Sequence, residues 1–569
     1  MMAQVPAVKL LEHDPKAEHK SLGGGLEGAD RFARETAHWM PAMGSADQII
    51  NTAKPIADAR SRDMVANDGQ TYGAVAAHQN GIVGGQYRLN AKPNWRALQR
   101  ITGMKSFDAK WAEEYQEAAE IIFDLLAESE ACYLDASGKN TFSGLVRLAV
   151  GGFVTTGEVL AAVEWIRERN RPIRTALQMV SPDRLSNPDD QPDTRLMRRG
   201  IEHNARGKPI RYHIRRGHPT DFYSDNAADA FRWVGVDAEK PWGRKQIIHI
   251  IEQRYYEQSR GIADMVAALK QMRMTKRFSE ITLQSAVINA TYAAAIESEL
   301  PPELVSAMMG ASANGPEAYR AALATHLNAM GQYVEASQNI GIDGAKMPHL
   351  FPNTKLSLKP VGTPGGIGTG FEESLKRGIA AALGLSYEEF TKDFSKVSYP
   401  AAKASMASTE RFIMARKKTV ADRFANNGFS LVVEELMADL QLPLPRMTPR
   451  MMRSLFYLPL AKEALTRATW IGAGRGQIDE LKETQAAILR IKSGLSTYEI
   501  ESAKLGVDFR ELFEQRAREE TIIASHGLAF ALDTQRPGAK DRQNTLSDDP
   551  DSGTQNENVT ENDGEAEDE

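Results

Sequence analysis

The sequence predicts an α+β protein, mainly helical, on three observations. Long stretches repeat apolar residues at spacings of 3 and 4, as from Phe107 to Glu130 and from Phe371 to Leu383. Between residues 158 and 252, β-branched runs ("EVLAAVEWI", "RTALQMV", "PIRYHIRR", "QIIHIIE") are separated by turn-forming stretches such as "NARGK". At 569 residues the chain is too long for one core and is expected to divide into several domains.

Taken in order, residues 1–45 are polar and Gly-spotted ("SLGGGLEG") and are expected to form a mobile arm. From Ala46 a helical pattern runs through "ADARSRDMVANDGQTYGAVAAHQNGIVGGQYRL" to a strand end at Gly84-Gly85. The segment from Phe107 to Glu130 places Trp111, Tyr115, Ala118, Ile122 and Leu125 on one helical face. With the strand runs, this predicts an α+β domain over 46–255. Between Ile262 and Leu300 no Gly or Pro occurs, so a helix of about 58 Å at 1.5 Å per residue is expected. Its apolar stripe shifts from Met265, Leu269 and Met272 to Phe278, Ile281, Ile288 and Tyr292, which predicts a bend or a change of packing partner.

Residues 301–370 form a further small unit, with a helical piece over 317–335, a short strand "TKLSLKP" and the loosening run "GTPGGIGTG". A helix over 371–383 comes next, with Phe371, Leu375, Ile379 and Ala382 on one face. Its Glu372–Lys376 and Glu373–Arg377 pairs stand at i,i+4 in the favourable order. Residues 384–400 are an aromatic, lysine-dotted loop, and a basic helix begins at Ala401, with "NNG" at 426–428 expected to interrupt it. Pro443, Pro445 and Pro449 mark a boundary between the segment 401–448 and a helical domain over 449–531, and 532–569 is an acidic tail expected to be disordered.

Composition excludes several classes. A lone cysteine, Cys132, rules out an intramolecular disulfide framework and a Cys-rich zinc site, and its place near a helix end predicts a partly buried thiol, not a nucleophile. No apolar run of 18 residues occurs and the N-terminus lacks a secretory pattern, so neither a membrane span nor a leader is expected. The net charge of −6 is uneven: Asp533 to Glu569 hold 12 acidic and 3 basic residues, leaving 66 basic and 63 acidic elsewhere. A body so nearly balanced does not grip many phosphates at once, so any contact with nucleic acid is expected to be loose.

Catalytic patterns are absent. "GGIGTG" has no following lysine and reads as a hinge, no HExxH or Gly-x-Ser-x-Gly occurs, and His213 and His218 read as solvent-facing or satisfied by polar neighbours. No cofactor, metal or enzymatic activity is expected. What remains are basic runs. Lys270, Arg273 and Arg277, with Lys276 beside them, share a face of the long helix, and Lys376 and Arg377 lie on the 371–383 helix. Each reads either as a solvated face or as a lining for a polyanion.

"AALGLSYEEFTKDFSKVSYPAAKASMASTER" resembles the signature of lambda-type tailed-phage portal proteins, a helix, a Gly-Leu-Ser-Tyr turn, an Asp-Phe-Ser-x-Val segment and the next helix start in that order. "RSRDMVANDGQTYGAVAAHQNGIVGG", "LVRLAVGGFVTTGEVL", "LQMVSPDRLSNP", "GKPIRYHIRRGHP" and "IIHIIEQRYYEQSRGI" agree in order, so the resemblance spans about 45–435. The start "YPAAK" departs from the small hydroxyl residues usual in the family.

The resemblance implies a portal-type fold: an α+β wing over 46–255, a first stem helix over 256–300, a clip over 301–370, a second stem helix over 371–383, a tunnel loop over 384–400, a wing helix and exit over 401–448, and a helical crown over 449–531. It implies a ring, typically of twelve subunits, at one vertex of the head, through which double-stranded DNA passes. The implied partners are the terminase large subunit, head-completion or adaptor proteins, and the major capsid and scaffold proteins, in a virion assembled in the host cytoplasm. Lys392, Lys396 and Tyr399 of the tunnel loop would face the DNA. The alternatives are another virion structural protein, such as a minor capsid or connector component, or a clamp-like nucleic-acid-processing enzyme.

Overall fold

The first helix, α1 (Ala46–Asn67), begins where Ser45 accepts the amide of Gln48 at 3.2 Å, and Asp68 ends it while capping α2 (Gly69–Ile82) through the amide of Thr71 at 2.8 Å. The computed structural model describes residues 43–221, 227–291, 368–439, 441–474, 476 and 479–527, with scattered positions within 34–41, 320–328 and 340–347. After β1 (Arg88–Ala91) come α3 (Trp95–Thr102), α4 (Ala109–Ala127) and α5 (Phe142–Thr156), each capped by Asn94, Asp108 or Thr141.

The fully buried face of α4 is Trp111, Tyr115, Ala119, Phe123 and Leu126; of the other expected residues Ile122 packs partly buried against the core, Ala118 is half-buried and Leu125 is 70% exposed. Steps of four residues carry the stripe slowly round the helix, and Phe123 is the aromatic that the first core selects. Helix α5 buries most of its surface, with Leu145, Val146, Ala149, Val150, Phe153 and Val154 all in the interior and the edge at Arg147 and Leu148 reaching solvent. It ends at Gly157, whose φ of +78° turns the chain into β2; a Cβ there would lie 2.1 Å from the Ile262 carbonyl carbon.

Strands β2 (Glu158–Trp165), β3 (Thr175–Met179) and β8 (Ile247–Ile251) form an antiparallel sheet in the order β3-β2-β8, with Ala161 opposite Met179 and Leu160 opposite His249. A second antiparallel sheet has the order β4 (Met197–Arg198), β5 (Ile201–His203), β6 (Pro209–Arg215), β7 (Trp233–Asp237). Leu160, Leu185, Ile201, Tyr212 and Ile247 form a small core shared by the two sheets. The four strand runs expected between 158 and 252 are present, whereas Gly84-Gly85 follow the end of α2 and precede β1 instead of ending a strand. Strand β7 is not legible in the sequence, because "WVGVD" carries a glycine and alternates weakly.

The main core lies between α4, α5, β2 and the later helices. Trp470 stands at its centre, stacked on Tyr87 at 5.6 Å and edge-on to Phe123 at 5.7 Å, with Phe142 at 5.8 Å. A further core (Met64, Val75, Val154, Met265, Met272, Ile379, Leu383 and Phe390) joins α1 and α2 to the two helices on either side of residues 301–367.

The expected helix from Ile262 begins later. Residues 264–267 form a 3-10 turn, and α6 runs from Leu269 to Thr291. Arg260 and Gly261 are held in the sheet region, which keeps the chain non-helical until Met265 has entered the core. Met265 and Met272 are buried as expected, whereas Ile281 is 54% exposed; Tyr292 and the rest of the stretch to Leu300 lie outside the described residues. Of the unit over 301–370, β9 (Ile340–Ile342) and β10 (Ala345–Met347) pair antiparallel. The strand expected at "TKLSLKP", the arm over 1–33 and the tail beyond Gly527 also lie outside the described residues.

Helix α7 (Gly368–Ala382) packs on α6, and Ile379 is buried while Phe371 is 56% exposed. The 384–400 segment is partly helical, with α8 (Tyr387–Thr391) inside it and α9 (Tyr399–Arg416) starting at its end. "NNG" does not interrupt the next helix. A π turn over Lys417–Ala421 joins α9 to α10 (Asp422–Ala438), which passes through Gly428 unbroken. Gly428 is there for contact: a Cβ would lie 2.9 Å from the ring of Phe142.

The prolines after α10 do not separate the later residues from the main core. Trp111 donates its indole N–H to the Pro443 carbonyl at 3.0 Å, and α11 (Pro449–Leu455) and α12 (Ala461–Leu465) bury Leu455, Ala461 and Leu465 in that core. Strand β11 (Ala468–Ile471) pairs antiparallel with β1 across nearly four hundred residues of sequence, Arg88 opposite Ile471. Among the described residues, α13 (Glu480–Lys492), α14 (Tyr498–Lys504) and α15 (Phe509–Ser525) form an outer helical layer, and neither α13 nor α15 buries a residue.

Candidate functional site

The residues singled out by sequence gather around the α7–α9 connection and the α6–α7 pair. Helix α7 ends on Leu383, whose carbonyl oxygen lies 3.0 Å from Nε2 of the buried His78 on α2. Gly384 then adopts φ +68°, a conformation costly for other residues, and the Phe412 ring occupies the place a Cβ would take, 2.4 Å away. Ser386 caps α8 by accepting the Glu389 amide at 3.2 Å, while its hydroxyl donates to the Glu389 carboxylate at 3.1 Å. The Ser386 amide donates to Thr409 Oγ1 at 3.1 Å and the Ser405 hydroxyl to Glu388 at 2.9 Å, so α8 is bolted along the side of α9.

Beyond α8 the chain is exposed. Lys392 ends the helix at φ +59° with its side chain in solvent. Asp393 accepts the amide of Ser395 at 3.0 Å and its hydroxyl at 2.6 Å, a turn that presents Phe394 at 46% exposure. Lys396 reaches back to Glu373 on α7 at 2.7 Å; this contact raises the Lys396 pKa and lowers that of Glu373. Tyr399, 51% exposed, opens α9 with the Lys403 ammonium 6.0 Å from its ring centre.

The expected i,i+4 pairs on α7 are formed, Glu372–Lys376 at 2.7 Å and Glu373–Arg377 at 3.6 Å, and the Arg377 guanidinium also covers the Tyr387 ring at 5.2 Å. Lys376, Arg377 and Lys396 thus surround Glu372 and Glu373. On α6 the four basic residues part company: Lys270, Arg273 and Arg277 are exposed, whereas Lys276 donates to the Asn67 carbonyl at 2.8 Å, anchoring α6 on the end of α1. Helices α6 and α7 approach closely at Gly378, where a Cβ would lie 3.3 Å from Gln271 Oε1.

Two buried charge clusters hold this assembly to the sheets. Arg416, the last residue of α9 before the π turn, lies between the Phe153 and Phe412 rings at 4.8 and 5.1 Å, and pairs with Asp264 at 2.5 Å and Glu252 at 3.4 Å. Asp264 opens the turn that leads into α6 and also meets Arg254. One cation therefore links the helix leaving the loop to the base of α6.

Deeper, Glu158 receives Arg260 at 2.6 and 3.0 Å, Lys54 at 3.3 Å and His249 at 3.2 Å, and Lys54 also meets Asp58 at 3.0 Å. Burial works against ionising Glu158, but the two cations hold its pKa well below the carboxylate range. Burial lowers the His249 pKa and lifts Asp58 to about 6. The remaining Arg260 donors meet the carbonyls of Leu185, Arg199 and Pro182 at 2.9–3.0 Å, so this cluster is a structural knot between α1, both sheets and the approach to α6. These residues form no recognisable motif in the sequence. Their one signal was charges placed inside otherwise apolar strand and helix patterns.

His218 is paired with Thr220 and Asp183 as expected, whereas Nε2 of His213 is buried without a hydrogen-bond partner, 3.6 Å from a Glu202 carboxylate oxygen. Cys132 is buried more completely than expected. Among the described residues, no group of three His, Cys, Asp or Glu is placed to hold a metal ion, and no helix is long and apolar enough to cross a membrane.

Residues 32–417 match the model of a family described as phage portal protein, lambda family. The chain is 35% identical over 520 residues to the portal protein of Escherichia phage N15, covering 91% of this chain and 94% of that one. It is 33% identical over 520 residues to portal protein B of Escherichia phage lambda, with coverages of 91% and 93%. Among solved structures, the neck of an empty GTA particle computed with C6 symmetry aligns at a TM-score of 0.36 and 14% identity, over 82% of this chain and 96% of that chain. The virion of a native gene transfer agent particle aligns at 0.30 and 15% identity, over 77% and 99%.

Proposed function

The chain belongs to the lambda family of phage portal proteins, and from that premise we propose that copies of it, twelve by the family's habit, close into a ring whose axial hole conducts double-stranded DNA. The observation that carries this reading is that the family match takes in α6, α7, the connection between α7 and α9, and α9 itself. In the proposed ring α6 and α7 are the paired stem helices, and the exposed stretch from Lys392 to Tyr399 is the part of each subunit aimed at the DNA. Residues 301–370 are the proposed clip, docking the terminase during packaging and head-completion proteins afterwards; capsid and scaffold proteins meet the outside of the ring in the virion.

The local charges fit a conduit and not a clamp. Each neutralised phosphate adds to affinity and to its salt dependence, so a strong grip would oppose every translocation step. Here Glu373 already competes for Lys396 and Arg377, and Glu372 for Lys376. Lys392 makes no ion pair among the described residues. A lysine that exchanges a surface carboxylate for a passing phosphate, and back, costs little either way, since exposed pairs are worth about 0–1 kcal/mol. The test is packaging and retention of DNA by particles carrying Lys392→Ala and Lys396→Ala. Reduced retention or altered packaging is expected. Particles that package and hold DNA like the parent would remove the loop from the DNA path.

A further inference from the structure

Away from the α7–α9 connection, the described residues hold a basic surface to which the conduit reading gives no work. It forms where the α3 region meets the segment between α10 and β11. The Lys92 amide donates to the Arg467 carbonyl at 2.8 Å, the Asn94 amide to the Ala464 carbonyl at 2.8 Å, and Trp111 to Pro443, so the two segments share one corner of the molecule. Arg96, Arg100, Lys105, Arg446, Arg450 and Arg467 are all exposed there, and none makes an ion pair among the described residues. The acidic residues within these two segments are Asp108, which caps α4, Asp439, which lies 4.0 Å from Arg174, and Glu463. Six exposed cations without ion-pair partners, against three carboxylates in the same segments, favour an anionic partner.

The chain contains a complementary segment. Residues 543–569 include ten carboxylates and no Lys or Arg. The element that precedes it is tied beside the basic corner: Arg88 of β1 meets Glu511 of α15, and Asn90 and Lys92 meet Glu499 of α14 at 3.0 and 2.8 Å. From Glu511 to the end of α15 at Ser525 is about 21 Å of helix at 1.5 Å per residue. Residues 528–542, at full extension, reach about 50 Å at roughly 3.3 Å per residue, more than enough to return to β1 and the Lys92–Arg100 edge beyond it.

We propose that the carboxylate-rich segment 543–569 of this chain docks on the basic corner formed by α3, the Arg446–Arg450 segment and Arg467, and so screens that corner from nucleic acid. Tethering decides between this occupant and DNA. A covalently attached anion acts at a high effective concentration, whereas DNA must bind from solution. Individual arginine–carboxylate contacts at a surface are weak, so the docked state depends on several at once and is salt-labile.

Lys105 supplies the test. Zero-length carbodiimide coupling of the full chain at low salt, read by mass spectrometry, is expected to join Lys105 to Asp or Glu within 548–569, with the yield falling several-fold at high salt. In parallel, a chain ending at residue 542 is expected to bind a short fluorescent duplex roughly tenfold more tightly than the full chain at low salt. Arg100→Glu/Arg446→Glu/Arg450→Glu should abolish both the coupling and that difference. Coupling of the tail to Lys270 or Lys276 instead, or no coupling at all, overturns the proposal. So does equal DNA affinity with and without 543–569; if the triple substitution then weakens DNA binding by the full chain, the corner is a nucleic-acid surface. Both readouts are made on whatever assembly the protein forms, so their failure leaves the ring reading standing.

Discussion

Replacing Arg416 by Met tests whether one buried cation couples the loop-bearing helix to the base of α6. The side chain is 6% exposed and pairs with Asp264, itself 14% exposed, and with Glu252, which is 49% exposed. Methionine keeps most of its length without its charge. Breaking a buried pair by removing one partner costs roughly 3–5 kcal/mol, because the other charge is stranded. Asp264 retains Arg254, and Glu252 is solvated, so the lower end, about 3 kcal/mol, is expected. Adding Asp264→Asn should recover about 1–2 kcal/mol, since the stranded carboxylate is gone and Arg254 is exposed enough to hydrate. Urea unfolding of the unassembled chain measures both. A loss below about 1 kcal/mol for Arg416→Met, or no recovery in the double variant, would show that the pair is not coupled as its geometry indicates.

Three further outcomes rest on particular contacts. Burial lowers the His78 pKa to about 4 from the ordinary 6.5, so the folded protein keeps it neutral while the unfolded chain protonates. Its contribution is full above pH 6.5 and is lost as pH falls through 4; relative to His78→Asn, the parent should lose about 3 kcal/mol between pH 7 and 4 in urea titrations, and equal pH slopes would contradict this. Gly428→Val should destabilise by about 1–3 kcal/mol through overpacking against Phe142, read as a lowered unfolding midpoint, whereas an unchanged midpoint would mean the contact is slack. Glu373→Gln removes the partner of the 74%-exposed Lys396; it should shift stability by less than about 1 kcal/mol while raising salt-sensitive DNA retention in particles, and unchanged retention would mean Lys396 does not meet DNA.

Much of the architecture was legible because apolar periodicity reports burial. The strands at 158–165 and 247–251, the start of α1 at Ala46, and Met265 with Met272 could be read directly. Misreadings came where a long-range contact overrides a local signal. "NNG" looks like a break, but Phe142 needs a residue without a side chain at Gly428. Pro443 to Pro449 looks like a domain boundary, yet Trp470, some twenty residues later, lies at the centre of the main core because β11 pairs with β1. The helix expected from Ile262 starts at Leu269 because Arg260 is fixed in the sheet knot. At the site, the i,i+4 pairs on α7 were predictable from spacing, whereas Lys396–Glu373 and Arg416–Asp264 join residues 23 and 152 apart and leave no local trace.

The proposed assembly is a closed ring with α6 and α7 lining a hole. Electron microscopy of the purified protein under assembly conditions tests it most directly. Rings of uniform subunit number, with an opening wide enough for a DNA duplex and the Lys392–Tyr399 stretch pointing into it, are predicted. Solid monomers or dimers, or rings that carry this stretch on their outer wall, would contradict it.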